Sequence, residues 1–166
     1  MSAPVVIFAV GNPSRGDDAL GPECHGQLEK WLENEMLAEQ FELIEDFQLQ
    51  IEHALDLQGR QLALFIDAGA STPGPYTFQR IAPATGAAYT THELPPEAVL
   101  QVYLQTEGEE PPPAFVLCIR GETFELGEGL SAAARSHLDA AFRLLNKLCR
   151  QPSLAAWELT ATPVRA

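Results

Sequence analysis

Apolar residues follow one another without polar interruption in three stretches of the chain. These stretches are residues 5–10, 62–66 and 115–119. An aliphatic run that does not alternate is typical of a strand buried on both faces, as in a parallel sheet. Residues 76–81 alternate instead and predict a half-exposed or edge strand. Residues 41–47 are a weaker strand candidate, nearer an edge of the sheet.

Apolar positions at three- and four-residue steps predict helices between these strands. The first helix is expected at about residues 18–38, a second at 97–104 behind two prolines, and the last after Ser131, a good helix cap. Strands that alternate with helices are typical of an α/β protein. We therefore predict one domain over residues 1–150, a three-layer α/β/α fold with a mostly parallel twisted sheet of about five strands. The helical pattern then stops, so residues 151–166 are expected to form a flexible C-terminal tail.

The composition narrows the classes of function. The 166 residues include 10 basic and 23 acidic side chains, for a formal net charge of −13. A nucleic-acid surface needs clustered Lys and Arg, so no nucleic-acid partner is expected. The sequence shows neither a signal-peptide pattern nor an apolar run of bilayer length, and its three cysteines lack CxxC spacing. We expect a cytoplasmic, soluble protein with free thiols and no membrane association.

Acidic side chains follow two of the predicted core strands. Asp17 and Asp18 lie in the loop of residues 11–21 after the first strand, and Asp67 ends the second. Because the carboxyl ends of parallel strands meet at one edge of a sheet, we expect these carboxylates to lie close together. His92, before the second helix, is placed to reach the same edge. One histidine with two carboxylates suits Zn, Ni, Co or Mn and leaves positions open for substrate or water.

Each of these side chains also has a plain structural interpretation. Asp18 can cap a helix, Asp67 can form a turn with nearby amides, and His92 can be an exposed loop residue. The other three histidines are interpreted as surface residues of helices or helical turns: His25, His53 and His137. Of these, His53 could instead line the same edge of the sheet.

The motifs together resemble those of the hydrogenase maturation proteases, which trim the large subunit of nickel-iron hydrogenases. The matching elements are an apolar strand leading into Gly11-Asn12-Pro13, then Arg15-Gly16-Asp17-Asp18 and Gly21, a strand ending at Asp67, Thr91-His92, and Gly127-Glu128-Gly129-Leu130-Ser131 before a helix. The resemblance spans about residues 5–150. Residues 47–55 look more like the subgroup that serves cytoplasmic NAD-reducing or bidirectional hydrogenases. The sequence departs from many relatives at Ala68, where they carry a glycine after the acid.

The resemblance implies an endopeptidase that removes the C-terminal extension of a nickel-loaded hydrogenase large-subunit precursor. It implies that Asp18, Asp67 and His92 contact the metal and carry catalysis. The nickel would be supplied by the substrate, and no organic cofactor is implied. The ion would polarise the scissile carbonyl or activate a water molecule, with Asp17 or one of the three ligands as general base.

Two other functions stay open. A non-proteolytic assembly factor would use the same three residues only to recognise a nickel-loaded partner, and a shortened partner would distinguish the protease from it. A flavodoxin-like module would bind a small acid or a nucleotide. The chain has neither GxGxxG after its first strand nor GxxxxGK[ST], and acids stand where phosphates would bind. A serine hydrolase would need a GxSxG motif, which the sequence lacks.

Overall fold

The computed structural model describes residues 2–84 and 94–162, which form a five-stranded sheet and four α-helices. The strands are β1 (Val5–Val10), β2 (Phe41–Asp46), β3 (Leu62–Gly69), β4 (Tyr76–Ile81) and β5 (Ala114–Arg120). Their order across the sheet is β2-β1-β3-β5-β4. The four pairs are parallel except β4 with β5, which is antiparallel at one edge. The predicted α/β fold class, with a mostly parallel sheet of about five strands, is confirmed.

The helices cover the two faces of this sheet. They are α1 (Leu20–Asn34), α2 (Pro96–Glu107), α3 (Ala132–Arg150) and α4 (Leu154–Thr160), with 3₁₀ helices at Gly16–Ala19, Ala38–Gln40 and Ile51–Leu57. One apolar core joins α1, α3 and α4 to one face. A second core joins α2 and the 3₁₀ helix Ile51–Leu57 to the other. The protein is therefore a single three-layer domain.

Strand β1 lies inside the sheet between β2 and β3, and all six of its residues are buried. Alternate residues serve opposite cores: Val5 and Ile7 pack with α1 and α3, whereas Val6 and Phe8 pack with α2. A strand covered on both faces needs apolar residues at every position, which explains the unbroken run in the sequence. The edge positions of β2 and β4 match the prediction from their weaker or alternating patterns.

The first helix is shorter than its apolar pattern predicts. Residues 16–19 form the 3₁₀ helix, α1 ends at Asn34, and Met36 takes a positive φ of 60°. A residue in the left-handed region cannot continue a right-handed helix. The predicted cap of α3 is confirmed, because the Ser131 side chain accepts a hydrogen bond from the Ala134 backbone N–H at 3.1 Å.

The expectation of a flexible tail is wrong for residues 154–160. These residues form α4, which buries Trp157 completely. The indole Nε1–H donates to the Leu148 carbonyl at 3.0 Å, and the ring meets Phe78 and Phe115 edge-on. A seven-residue helix is too short to show a periodic pattern. Trp157 is its one fully buried side chain, and the partly buried Leu154 and Ala156 pack against the same core.

Neither described range contains a helix long and apolar enough to span a bilayer.

Candidate active site

A cleft of about 290 Å³ contains both Asp18 and Asp67. It lies where β1 and β2 end and α2 begins, at the carboxyl edge of the parallel strands. The remaining lining residues are Val10, Phe47, Gln48, Leu49, Leu94, Pro95 and Pro96. The structure thus brings two of the predicted site residues together, because the parallel strands that precede them end at the same edge of the sheet.

Asp18 is held in the cleft by the loop that follows β1. Its Oδ2 accepts a hydrogen bond from the Asn12 backbone N–H at 2.7 Å, and its own N–H donates to the Arg15 carbonyl at 3.1 Å. Gly11 has a φ of 151°, and a Cβ there would lie closer than 3.0 Å to the Asp18 carbonyl oxygen. The loop can therefore fold back on itself only with glycine at this position.

Asp17 has a different environment from its neighbour. Its side chain is fully buried and accepts four hydrogen bonds, from the backbone N–H groups of Glu122, Thr123 and Ser131 and from the Ser131 hydroxyl, at 2.6–3.1 Å. Burial by itself would raise the pKa of the Asp17 carboxyl, but the donors at Ser131, Glu122 and Thr123 outweigh it and hold the pKa below its usual value. Asp17 does not line the cleft, so these contacts fit a positioning role and not that of a general base.

Asp67 lies within β3, which continues two residues beyond it to Gly69. Its Oδ1 accepts a hydrogen bond from the Ala68 backbone N–H at 2.7 Å. Ala68 itself packs against the core on the α1 and α3 side of the sheet. Because successive side chains of a strand point to opposite faces, an alanine at this position does not enter the cleft. The departure from the family pattern therefore leaves the Asp67 carboxylate in place.

The third predicted site residue, His92, lies outside the described residues. His53 does not line the cleft: it is 8% exposed, its Nδ1 accepts from the Gln50 N–H at 2.8 Å, and its Nε2 lies 3.4 Å from Asp46 Oδ2. His25 is 3.8 Å from Glu45, and His137 Nδ1 is 2.9 Å from the Arg120 carbonyl. Among the described residues, no group of three or more His, Cys, Asp or Glu side chains is arranged to hold a metal ion.

Phe47 and Leu49 form a wall of the cleft that the sequence pattern does not predict. These residues follow Asp46, the last residue of β2, and so reach the same edge of the sheet as Asp18 and Asp67. This wall depends on the order of the strands. Strand β2 lies beside β1 after a crossover connection, and the sequence pattern does not give that order. A larger groove of about 640 Å³ lies near Pro111 and Ile81, at the opposite end of β5, and contains neither candidate carboxylate.

The fold is that of solved hydrogenase maturation endopeptidases. No family model and no curated protein matches the sequence. The solved structure of the hydrogenase maturating endopeptidase HybD from E. coli is similar, with a TM-score of 0.71 at 21% identity, covering 92% of this chain and 94% of that one. The [NiFe] hydrogenase maturation protease HycI from Thermococcus kodakarensis KOD1 has a TM-score of 0.66 at 20% identity, covering 90% and 94%. At these identities the likeness shows a shared fold over nearly the whole of both chains.

Proposed function

We propose that this chain is an endopeptidase that removes the C-terminal extension of a nickel-loaded [NiFe] hydrogenase large-subunit precursor. The observation that carries the proposal is the placement of Asp18 and Asp67 in one cleft at the carboxyl edge of the sheet. It is supported by the fold, which is shared with the solved structures of [NiFe] hydrogenase maturation proteases. A protease for a folded precursor needs a surface cleft, and the two carboxylates provide charged oxygen donors within it.

The nickel of this proposal belongs to the substrate. Two carboxylates supply oxygen donors, and we propose His92 as the nitrogen donor that completes the set. When bound, such an ion polarises a peptide carbonyl or lowers the pKa of an attacking water. A precursor without nickel would then lack both the recognition element and the catalytic ion, so cleavage would depend on prior nickel insertion.

The two carboxylates of the cleft are the candidates for the general base. Among the described residues, the only donor to the Asp18 side chain is the backbone N–H of Asn12, which bonds Oδ2. Its Oδ1 accepts no hydrogen bond from the described residues. Asp67 Oδ1 accepts a hydrogen bond from the Ala68 N–H. Both oxygens of the Asp17 carboxylate accept hydrogen bonds from residues 122–131, so Asp17 is not available as the general base. We therefore assign proton transfer to Asp18 or Asp67.

We also propose that the protein acts in the cytoplasm on an NAD-reducing or bidirectional hydrogenase. Residues 47–55 carry the resemblance to that subgroup. Cys24, Cys118 and Cys149 are free thiols, and burial raises the pKa of Cys24 and Cys149 to about 12. Free thiols are ordinary in a reducing compartment.

The test is incubation with a large-subunit precursor, with and without nickel loading, followed by intact mass. We expect loss of a C-terminal peptide only from the nickel-loaded precursor, and a loss of rate of at least about 100-fold in Asp18→Ala and in His92→Ala. Asp139→Ala, at an exposed acid on α3, is the matched control and should cleave at the wild-type rate. Equal cleavage of the nickel-free precursor would contradict the proposal. Binding without a change of mass would indicate a non-proteolytic assembly factor.

A further inference from the structure

Large apolar side chains are exposed along one short segment of the chain. Of the six such residues among those described, three lie within nine positions: Phe47, Ile51 and Leu55, at 64%, 61% and 66% exposure. The other three are spread elsewhere, at Met36, Leu126 and Leu159. Isolated exposed apolar residues are common, but a local concentration of them marks an interaction surface.

The segment of residues 47–55 is held in place by hydrogen bonds and polar contacts among residues 46–53. The Asp46 side chain accepts a hydrogen bond from the Phe47 N–H through Oδ1 at 2.7 Å, and its Oδ2 lies 3.4 Å from His53 Nε2. His53 Nδ1 accepts from the Gln50 N–H at 2.8 Å, so the ring proton of the neutral imidazole is on Nε2, facing Asp46. The ring also packs edge-on against Phe8, with centroids 5.6 Å apart.

The other side of the same segment is anchored in the core. Leu49, Ala54 and Leu57 are buried in the cluster that also contains Phe8 and Phe65. The segment therefore presents its exposed apolar residues from a fixed backbone. A partner that binds such a surface loses little free energy to ordering the backbone.

The segment is also continuous with the candidate active site. Phe47 lines the cleft together with Asp18 and Asp67, and Gln48 and Leu49 follow it along the same wall. Ile51 and Leu55 extend from this wall along the 3₁₀ helix Ile51–Leu57. A protein whose peptide enters the cleft must therefore come against this segment.

We infer that Phe47, Ile51 and Leu55 form a docking surface for an apolar face of the hydrogenase large-subunit precursor. The inference rests on the proposed function, which places that precursor's peptide in the adjoining cleft. The chain has a net charge of −13, yet among the exposed side chains of residues 47–55 only Glu52 is charged, beside two glutamines and the three large apolar residues. The surface thus recognises its partner by burial of apolar area, with Phe47 as the aromatic anchor next to the cleft.

The test measures the dissociation constant for the nickel-loaded precursor. We expect the double variant Ile51→Ser/Leu55→Ser, and separately Phe47→Ser, to raise it at least about tenfold. The matched control is Met36→Ser/Leu159→Ser, which removes two side chains that are 91% and 90% exposed elsewhere and should leave the constant unchanged. Thermal melting of each variant verifies that these exposed substitutions leave the fold intact.

Each other result has a separate meaning. Wild-type affinity in both the double variant and Phe47→Ser would overturn the docking surface while leaving the protease proposal standing. Failure of the wild-type protein to bind or cleave any nickel-loaded precursor would overturn the proposed function and the docking surface with it. A wild-type protein that is dimeric in sedimentation, and monomeric as Ile51→Ser/Leu55→Ser, would assign the surface to a second copy of the chain and overturn the inference.

Discussion

The Asp17 carboxylate accepts hydrogen bonds from both the backbone N–H and the hydroxyl of Ser131, at 2.7 and 2.8 Å, across 114 positions of sequence. The same hydroxyl accepts a bond from the Ala134 N–H and so caps α3. One serine therefore joins the start of the last long helix to the loop that carries Asp18. This loop is therefore held by residues 122–131 as well as by β1, which it follows in the sequence.

Asp17→Asn is expected to lower the free energy of unfolding at pH 7 by about 2–4 kcal/mol, because buried N–H donors lose a charged acceptor. The pKa of Asp17 is lower in the folded protein than its usual value. Its stabilisation is therefore complete above the unfolded pKa of about 3.9 and is lost as the pH falls through the folded pKa. Urea unfolding between pH 7 and pH 2.5 should show a smaller loss of stability on acidification in the variant. Asp139→Asn is the control, and identical pH profiles for Asp17→Asn and wild type would refute the prediction.

Gly21→Ala is expected to destabilise the protein by about 2–4 kcal/mol and to slow cleavage. A Cβ at Gly21 would lie closer than 3.0 Å to the carbonyl oxygen of Val10, so α1 or the end of β1 must move, and Asp18 with it. Gly26→Ala lies in the same helix, and a Cβ there meets nothing within 4 Å. That control should be neutral or stabilising by up to about 1 kcal/mol. Chemical denaturation measures both, and equal effects of the two substitutions would argue against the close approach.

Trp157→Ala is expected to cost about 3–5 kcal/mol, because the indole is fully buried and its Nε1–H donates to Leu148. Leu159 lies in the same helix at 90% exposure, so Leu159→Ala should change the stability by less than about 0.5 kcal/mol. Thermal melting of the two variants compares them directly. A melting temperature of Trp157→Ala close to that of wild type would mean that α4 adds little to the domain.

The thiols are expected to resist alkylation in the folded protein. Burial raises the pKa of Cys24 and Cys149 to about 12, and burial together with the charge of Asp67 raises that of Cys118. The thiolate is the reactive form, so iodoacetamide at pH 7.5 should leave the native mass unchanged. The same reagent in guanidinium chloride should add three carbamidomethyl groups. Rapid modification of any cysteine under native conditions would show that its environment is open.

The parts of the fold that the sequence could predict are those with a local cause. The buried strands appear as unbroken apolar runs, and the strand polarity brings Asp18 and Asp67 to one edge. The role of Asp17 could not be predicted, because its partner Ser131 becomes a neighbour only after folding. Phe47 joins the cleft through the crossover that places β2 beside β1. The anchoring of α4 by Trp157 could not be predicted, since a helix of seven residues with one fully buried side chain shows no periodic pattern.

Asp18→Asn is expected to abolish cleavage while leaving the fold intact. An asparagine side-chain oxygen can still accept the hydrogen bond that the Asn12 N–H now gives to Oδ2, so the loop keeps its tether. The carboxylate charge and its second oxygen are lost, and with them the proposed contact to the substrate's nickel. We expect a rate reduction of at least about 100-fold with a melting temperature within a few degrees of wild type. An intact-mass time course gives the rate, and a variant that cleaves at the wild-type rate would remove Asp18 from the catalytic set. A variant that is inactive because it is unfolded would instead assign Asp18 to the loop structure.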